Sequence, residues 1–112
     1  MDDSVKRCFQ IIAIVGEAKA SYIESMRLAR YQQFEKAKEY IKQADKSFSL
    51  IYDLQNELPK QEAQGMSNDY HLLFVHTQDQ IMSVEHLKIM AMEMNACYEK
   101  IFDLEKKIDR RK

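Results

Sequence analysis

His76 and Asp79 stand three residues apart in the stretch "FVHTQDQIM", Phe74 to Met82. On a helix that spacing puts an imidazole and a carboxylate side by side on one face. An imidazole is largely neutral at cell pH and then offers a lone pair as nucleophile or ligand. A carboxylate placed in an apolar segment must be paired, hydrogen-bonded or neutralised. Asp79 therefore either pairs with His76 or points along an oligomer axis. On an axis, symmetry gathers copies of it, and these need a raised pKa or a bound cation. The plainer alternative is a satisfied core histidine bonded to Asp79 or Gln78. A single zinc ion on His76, Asp79 and His86 is disfavoured, because Asp79 and His86 are two turns apart and a zinc site needs three or four converging ligands. A hydrolase would need a further acid or base and a pocket, and neither is visible. His71 falls off this face and reads as a surface residue.

The element carrying the pair runs from about residue 69 to 107. With Leu72 as reference on a helical wheel, Leu87, Met90, Met94, Cys97, Ile101, Leu104 and Ile108 fall within roughly 60° of it. This line reads as the core-facing stripe. His76, Asp79, Ser83 and His86 share its N-terminal half. Phe74, Ile81, Met82, Val84, Ile89 and Met92 occupy other faces, so the helix is apolar over most of its circumference. Two neighbouring helices cannot cover such an element, which favours burial by further copies over the alternative of a loosely patterned core helix in a monomer. The chain's 7 methionines are concentrated here, which suits an adaptable packing surface. Phe74, Val75, Ile81 and Met82 read as packing residues that set His76 at the mouth of a groove and Asp79 on an inner axis.

Two further helices are expected, over about 3–30 and 34–60. The first carries Val5, Cys8, Phe9, Ile12, Val15, Gly16, Tyr22, Ile23, Met26 and Ala29 on its stripe, with Ser4 as N-cap. Gly16 within the stripe predicts a close helix–helix approach. The second repeats Phe34, Ala37, Ile41, Ala44, Phe48, Ile51, Gln55 and Leu58 at 3-4 spacing, a bundle seam. A charged turn at Tyr31 to Gln33 joins them, although no helix breaker stands there. Pro59 should kink or end the second helix. Gly65 should serve as a C′ residue, and Ser67, Asn68 or Asp69 as the next N-cap.

With 112 residues, 2 Gly and 1 Pro, the chain reads as one all-α domain, an antiparallel three-helix bundle over 1–112. A formal net charge of -1 gives no reason to expect nucleic acid or an anionic membrane surface as partner. The run Ile11 to Val15 is too short to span a bilayer. Cys8 and Cys97, in apolar stretches far apart, suit buried reduced thiols. A cytoplasmic protein without direct membrane insertion is expected.

The segment "LLFVHTQDQIM", following "QEAQG", resembles the His-x-Gln-Asp-His-Leu-Met run on the third helix of the enzyme IIA components of the lactose/cellobiose (N,N′-diacetylchitobiose) class of sugar phosphotransferase systems. "IIAIVGEAKASYIESM" is similar to that family's Ile-Val-x-x-x-Gly-(Asp/Glu)-Ala-(Arg/Lys)-Ser region. "ARYQQFEKAKEYIKQAD" is similar to its Gly-Asp-Phe-x-x-Ala opening of the second helix. The resemblance spans nearly the whole chain and implies a homotrimer of three-helix subunits. By motif, His76 would be phosphorylated on Nε2 (a tele-phosphohistidine), with Gln78 and Gln80 in support. Asp79 would meet its symmetry mates around a structural Mg2+ on the threefold axis. The implied role is a phosphoryl relay from phospho-HPr to the cysteine of a cognate IIB component, and so indirectly to the membrane IIC component. Gln80 stands where the family usually has His, and Pro59 where it usually has an aliphatic residue. Thr77 replaces a small residue. Gln80 keeps open an alternative: a trimeric helical regulatory paralogue that has lost phosphotransfer.

Overall fold

In the computed structural model the described residues are 3–59 and 68–111, with Asn68 described by its backbone alone. Among them are three helices and no strand: α1 (Asp3–Arg30), α2 (Phe34–Asn56) and α3 (Asn68–Arg111). The expected capping residues Gly65 and Ser67 lie outside the described residues. The three helices make a rod 71 Å long and 18 × 16 Å across.

The core is built from two seams of 3-4 spacing that face each other. On α1 the buried line is Cys8, Ile11, Val15, Ala18, Tyr22, Ser25 and Ala29. On α2 it is Ala37, Ala44, Ile51 and Leu54, with Leu58 just beyond. Phe34, Ile41 and Phe48 pack around these, as the expected α2 seam requires. Ile51 and Val15 are essentially inaccessible. Burial of a branched side chain of this size contributes about 1.5–3 kcal/mol.

α1 lies between the other two helices. α2 and α3 meet chiefly through long side chains, among them Phe34 on Phe102 at 5.6 Å between ring centroids and Lys88 over the Phe48 ring at 4.8 Å. Polar links fix the pairing along the rod. Arg7 pairs with Glu57, and Tyr22 Oη donates to Asp45 Oδ1 at 2.6 Å. Asn95 Nδ2 donates to Ser25 Oγ at 3.2 Å, and Ser25 Oγ donates to the Tyr22 carbonyl at 2.7 Å. The buried Ser25 hydroxyl is thereby satisfied in both directions.

The turn from α1 to α2 shows how a helix stops without Gly or Pro. The Gln33 N–H donates to the Leu28 carbonyl at 2.9 Å and the Gln32 N–H to the Ala29 carbonyl at 3.0 Å, the paired bonds of a Schellman ending. Gln32 supplies the left-handed residue, at φ 67°. Gln33 is the N-cap of α2 and its side chain makes no capping bond.

Several expectations need correction. Most of the supposed core stripe of α3 faces away from α1 and α2, although Leu87 packs against the core as expected; the fully buried residues are Tyr70, Thr77, Ile81, Val84 and Ala91. Cys97, expected inside, is exposed on that outer face, whereas Cys8 is buried. Gly16 is exposed, and a Cβ built there meets nothing within 4 Å, so it marks no close helix contact. Ser4 lies inside α1 rather than at its N-cap. α2 ends at Asn56, ahead of Pro59, because the residue before a proline disfavours helical geometry. α3 continues to Arg111 rather than stopping near 107.

Candidate functional site

α3 is held on α1 by a buried line through Thr77, Ile81, Val84 and Ala91. The Thr77 hydroxyl, fully buried, donates to the Leu73 carbonyl at 2.8 Å one turn back. It also bonds the side chain of Cys8. Burial nonetheless pushes the Cys8 thiol above its ordinary pKa and outweighs that bond, so Cys8 is an inert packing residue. Thr77 is therefore an anchoring residue, with its neighbours His76 and Gln78 projecting to either side.

A second line at 3-4 spacing runs along the opposite side of the helix: Leu72, His76, Asp79, Ser83, His86, Met90, Met94, Cys97, Ile101, Leu104 and Ile108. This is again a coiled-coil pattern. It lies uncovered, with Leu72 68%, Met90 55%, Ile101 49%, Leu104 50% and Ile108 57% exposed. His76, Asp79 and His86 are exposed, and Ser83 is half-buried. The polar members occupy the N-terminal half and the apolar members the C-terminal half. A continuous apolar face of this kind on a single chain marks an interaction surface.

His76 and Asp79 thus share a face, as their spacing requires, yet neither forms a hydrogen bond or ion pair among the described residues. The imidazole stands open to an approaching macromolecule. Phe74 and Ile81 do pack inward, but Val75 and Met82 are exposed. The groove between the end of α2 and α3, about 400 Å³ and lined by Tyr52, Gln55, Leu58, Phe74 and Gln78 among others, is not lined by His76. Gln80, one turn beyond His76, is half-buried.

Among the described residues, no three His, Cys, Asp or Glu side chains of one chain are placed to hold a metal ion. Asp79 offers a single carboxylate, so a divalent cation there requires Asp79 from other copies. Carboxylate oxygens are hard donors of the kind Mg2+ prefers.

The chain's sequence pattern gave little notice of three polar links behind the site. Gln55 Nε2 donates to Gln78 Oε1 at 2.7 Å, Tyr52 Oη donates to Glu85 Oε2 at 2.7 Å, and Lys88 Nζ lies 3.5 Å from Asp45 Oδ1. Glu85 and its burial hold the Tyr52 phenol above its ordinary pKa, the hydrogen bond being the larger cause. The one clue in the sequence was Gln55, a polar residue at a seam position. These links tie α3 to α2 from Gln78 to Lys88 and so oppose rotation of the helix that presents His76 and Asp79. Tyr52, Gln55 and Glu85 thus help to hold α3 against α2 behind that face.

A family model described as PTS system, Lactose/Cellobiose specific IIA subunit, matches residues 6–99. The chain is 36% identical over 93 residues to the lichenan-specific phosphotransferase enzyme IIA component of Bacillus subtilis (strain 168), covering 83% of this chain and 84% of the relative. It is 28% identical over 92 residues to the lactose-specific EIIA component of Staphylococcus epidermidis, covering 82% and 88% respectively. Against the oligo-beta-mannoside-specific EIIA component of Bacillus subtilis (strain 168) the figures are 28% over 86 residues, 77% and 78%. No solved structure matches the chain.

Proposed function

This chain belongs to the lactose/cellobiose-specific IIA family of the sugar phosphotransferase system, and from that premise we propose that it is a phosphoryl carrier acting through His76. Phospho-HPr docks on α3, and Nε2 of His76 attacks phosphorus in line as the bond to the donor breaks. The thiolate of the cognate IIB cysteine then takes the phosphoryl group and the imidazole leaves. The protein's work in such a step is positioning and charge stabilisation. The observation that carries this reading is the placement of His76: exposed, in the family's motif, on a face of α3 that the other two helices leave bare. The relatives' names specify different sugars, as suits a relay whose specificity resides in the membrane component. A cytoplasmic location follows from the same role; no helix among the described residues is long and apolar enough to cross a membrane.

The working assembly is a homotrimer of antiparallel three-helix subunits. Arg7 with Glu57 and Tyr22 with Asp45 support the antiparallel pairing of α1 and α2. The uncovered seam spans residues 72–108, and among the described helices α3 alone, at 44 residues, is long enough to cover it. Its occupant is therefore another copy of α3. Parallel alignment sets polar half against polar half, whereas antiparallel alignment would bury Asp79 against Ile101 or Leu104, a charge without a partner. Asp79 carboxylates from three copies would hold Mg2+, whose charge offsets theirs and that of a nearby phosphohistidine. Gln80 lies one turn beyond the nucleophile, and Gln78, held by Gln55, supports the helix from its other side.

The test is incubation with enzyme I, HPr and phosphoenolpyruvate. One acid-labile phosphate per chain, absent in His76→Gln, is expected. No phosphate on His76 while HPr is charged would overturn the relay and favour the non-transferring paralogue that Gln80 suggests.

A further inference from the structure

His86 follows Asp79 by seven residues on the uncovered seam. Its ring is exposed and has no hydrogen bond or ion pair among the described residues. Positions one heptad apart are equivalent in a supercoil. An assembly that gathers Asp79 from three copies must therefore gather His86 as well, two turns or ~10 Å further along the axis. The layers on either side are Ser83 and Met90, a hydroxyl and an apolar side chain. Three imidazoles brought together there would have ring nitrogens withdrawn from water, and no charged neighbour on the seam would satisfy them.

We propose that His86 of three copies forms a second metal site, for a first-row transition metal ion of the Zn2+ or Ni2+ kind. This rests on the parallel trimer put forward above. Three neutral imidazole nitrogens are a complete protein ligand set for zinc with one position left for water. Nitrogen donors of this type favour Zn2+ and Ni2+, whereas carboxylate oxygens favour Mg2+. The seam thus carries two layers with different preferences: hard oxygen at Asp79 and imidazole nitrogen at His86. A single chain has neither site complete, which makes metal binding at His86 a property of the assembly.

The full chain is first run in the analytical ultracentrifuge, without added metal. It is then titrated with Zn2+ by calorimetry, and with Co2+ as a spectroscopic probe, in excess Mg2+. The expected result is a trimer that takes up one Zn2+ per three chains, with the visible bands of nitrogen-coordinated Co2+. His86→Gln should remain trimeric and lose that ion, while His76→Gln and Asp79→Asn keep it. A trimer that binds no Zn2+, or Zn2+ binding that survives His86→Gln, overturns the proposal and leaves the trimer standing. A monomer in the first measurement overturns the assembly and this site with it.

Discussion

The Tyr22 hydroxyl donates to Asp45 Oδ1 at 2.6 Å across the α1–α2 seam, from a ring that is 0% exposed. Burial, then the bond to Asp45 and its charge, hold the phenol well above the ordinary tyrosine range. In the unfolded chain the same phenol ionises near pH ~10. Above that pH the unfolded state has released a proton that the folded state keeps. This contribution is thus fully present below pH ~10 and is lost as pH rises beyond it. Tyr22→Phe keeps the ring and removes the bond. Urea unfolding at neutral pH is expected to report a loss of about 1–2 kcal/mol. The difference from wild type should shrink between pH 10 and higher values, as the wild-type advantage disappears.

The α1–α2 turn is under-optimised. Gln32 adopts φ 67°, which for a side chain with a Cβ costs about 1 kcal/mol. The family pattern has Gly-Asp where this chain has Gln32 and Gln33. Gln32→Gly relieves the strain, at the loss of a long 3.4 Å bond to Glu105. Gln33→Asp gives α2 the side-chain cap it lacks. Each change is expected to stabilise by about 0.5–1 kcal/mol, read as a shift in denaturation midpoint.

Ile101 is half exposed on the outer seam of α3. Ile101→Glu leaves the interior of the single chain untouched, so helix content should be unchanged. Three glutamates on the proposed axis would repel one another in a covered seam. Sedimentation should therefore report monomers at concentrations where the wild type is a trimer.

Asp79→Leu replaces proposed axial carboxylates with apolar side chains at an exposed position of the monomer. The trimer is expected to persist or tighten, because burying apolar groups there removes a desolvation cost. Its stability should also lose any dependence on Mg2+. Thermal melts with and without chelator measure both effects. Dissociation of the variant would mean that the ion-centred contact is required for assembly.

Gln80→His restores the imidazole that the family usually has one turn beyond His76. A general acid–base or hydrogen-bonding group so placed is expected to speed phosphoryl transfer, by roughly tenfold or more if it takes part in the step. Rapid-quench measurement of phosphate arriving on His76 from phospho-HPr tests this. An unchanged rate would assign Gln80 a packing role.

The sequence by itself determined the all-helical class, the places of the three helices, the α2 seam from Phe34 to Leu58, and the placement of His76 and Asp79 on one face. These follow from local rules: few residues that break helices, and side chains that recur at the helical period. It left undecided which face of α3 turns inward. α3 is apolar around most of its circumference and carries two lines at 3-4 spacing, and periodicity alone cannot rank one above the other. Tertiary packing chose the line through Thr77, Ile81, Val84 and Ala91, whose small and β-branched side chains let α3 approach α1 closely. Leu72, Met90, Ile101, Leu104 and Ile108, with His76 and Asp79 among them, were thereby turned outward. That choice also moved Cys97 to the surface and Thr77 to the interior, and it set Gln78 against Gln55. Contacts between side chains 23 residues apart in sequence arise only when two helices are rotated against each other, and no local pattern encodes that angle.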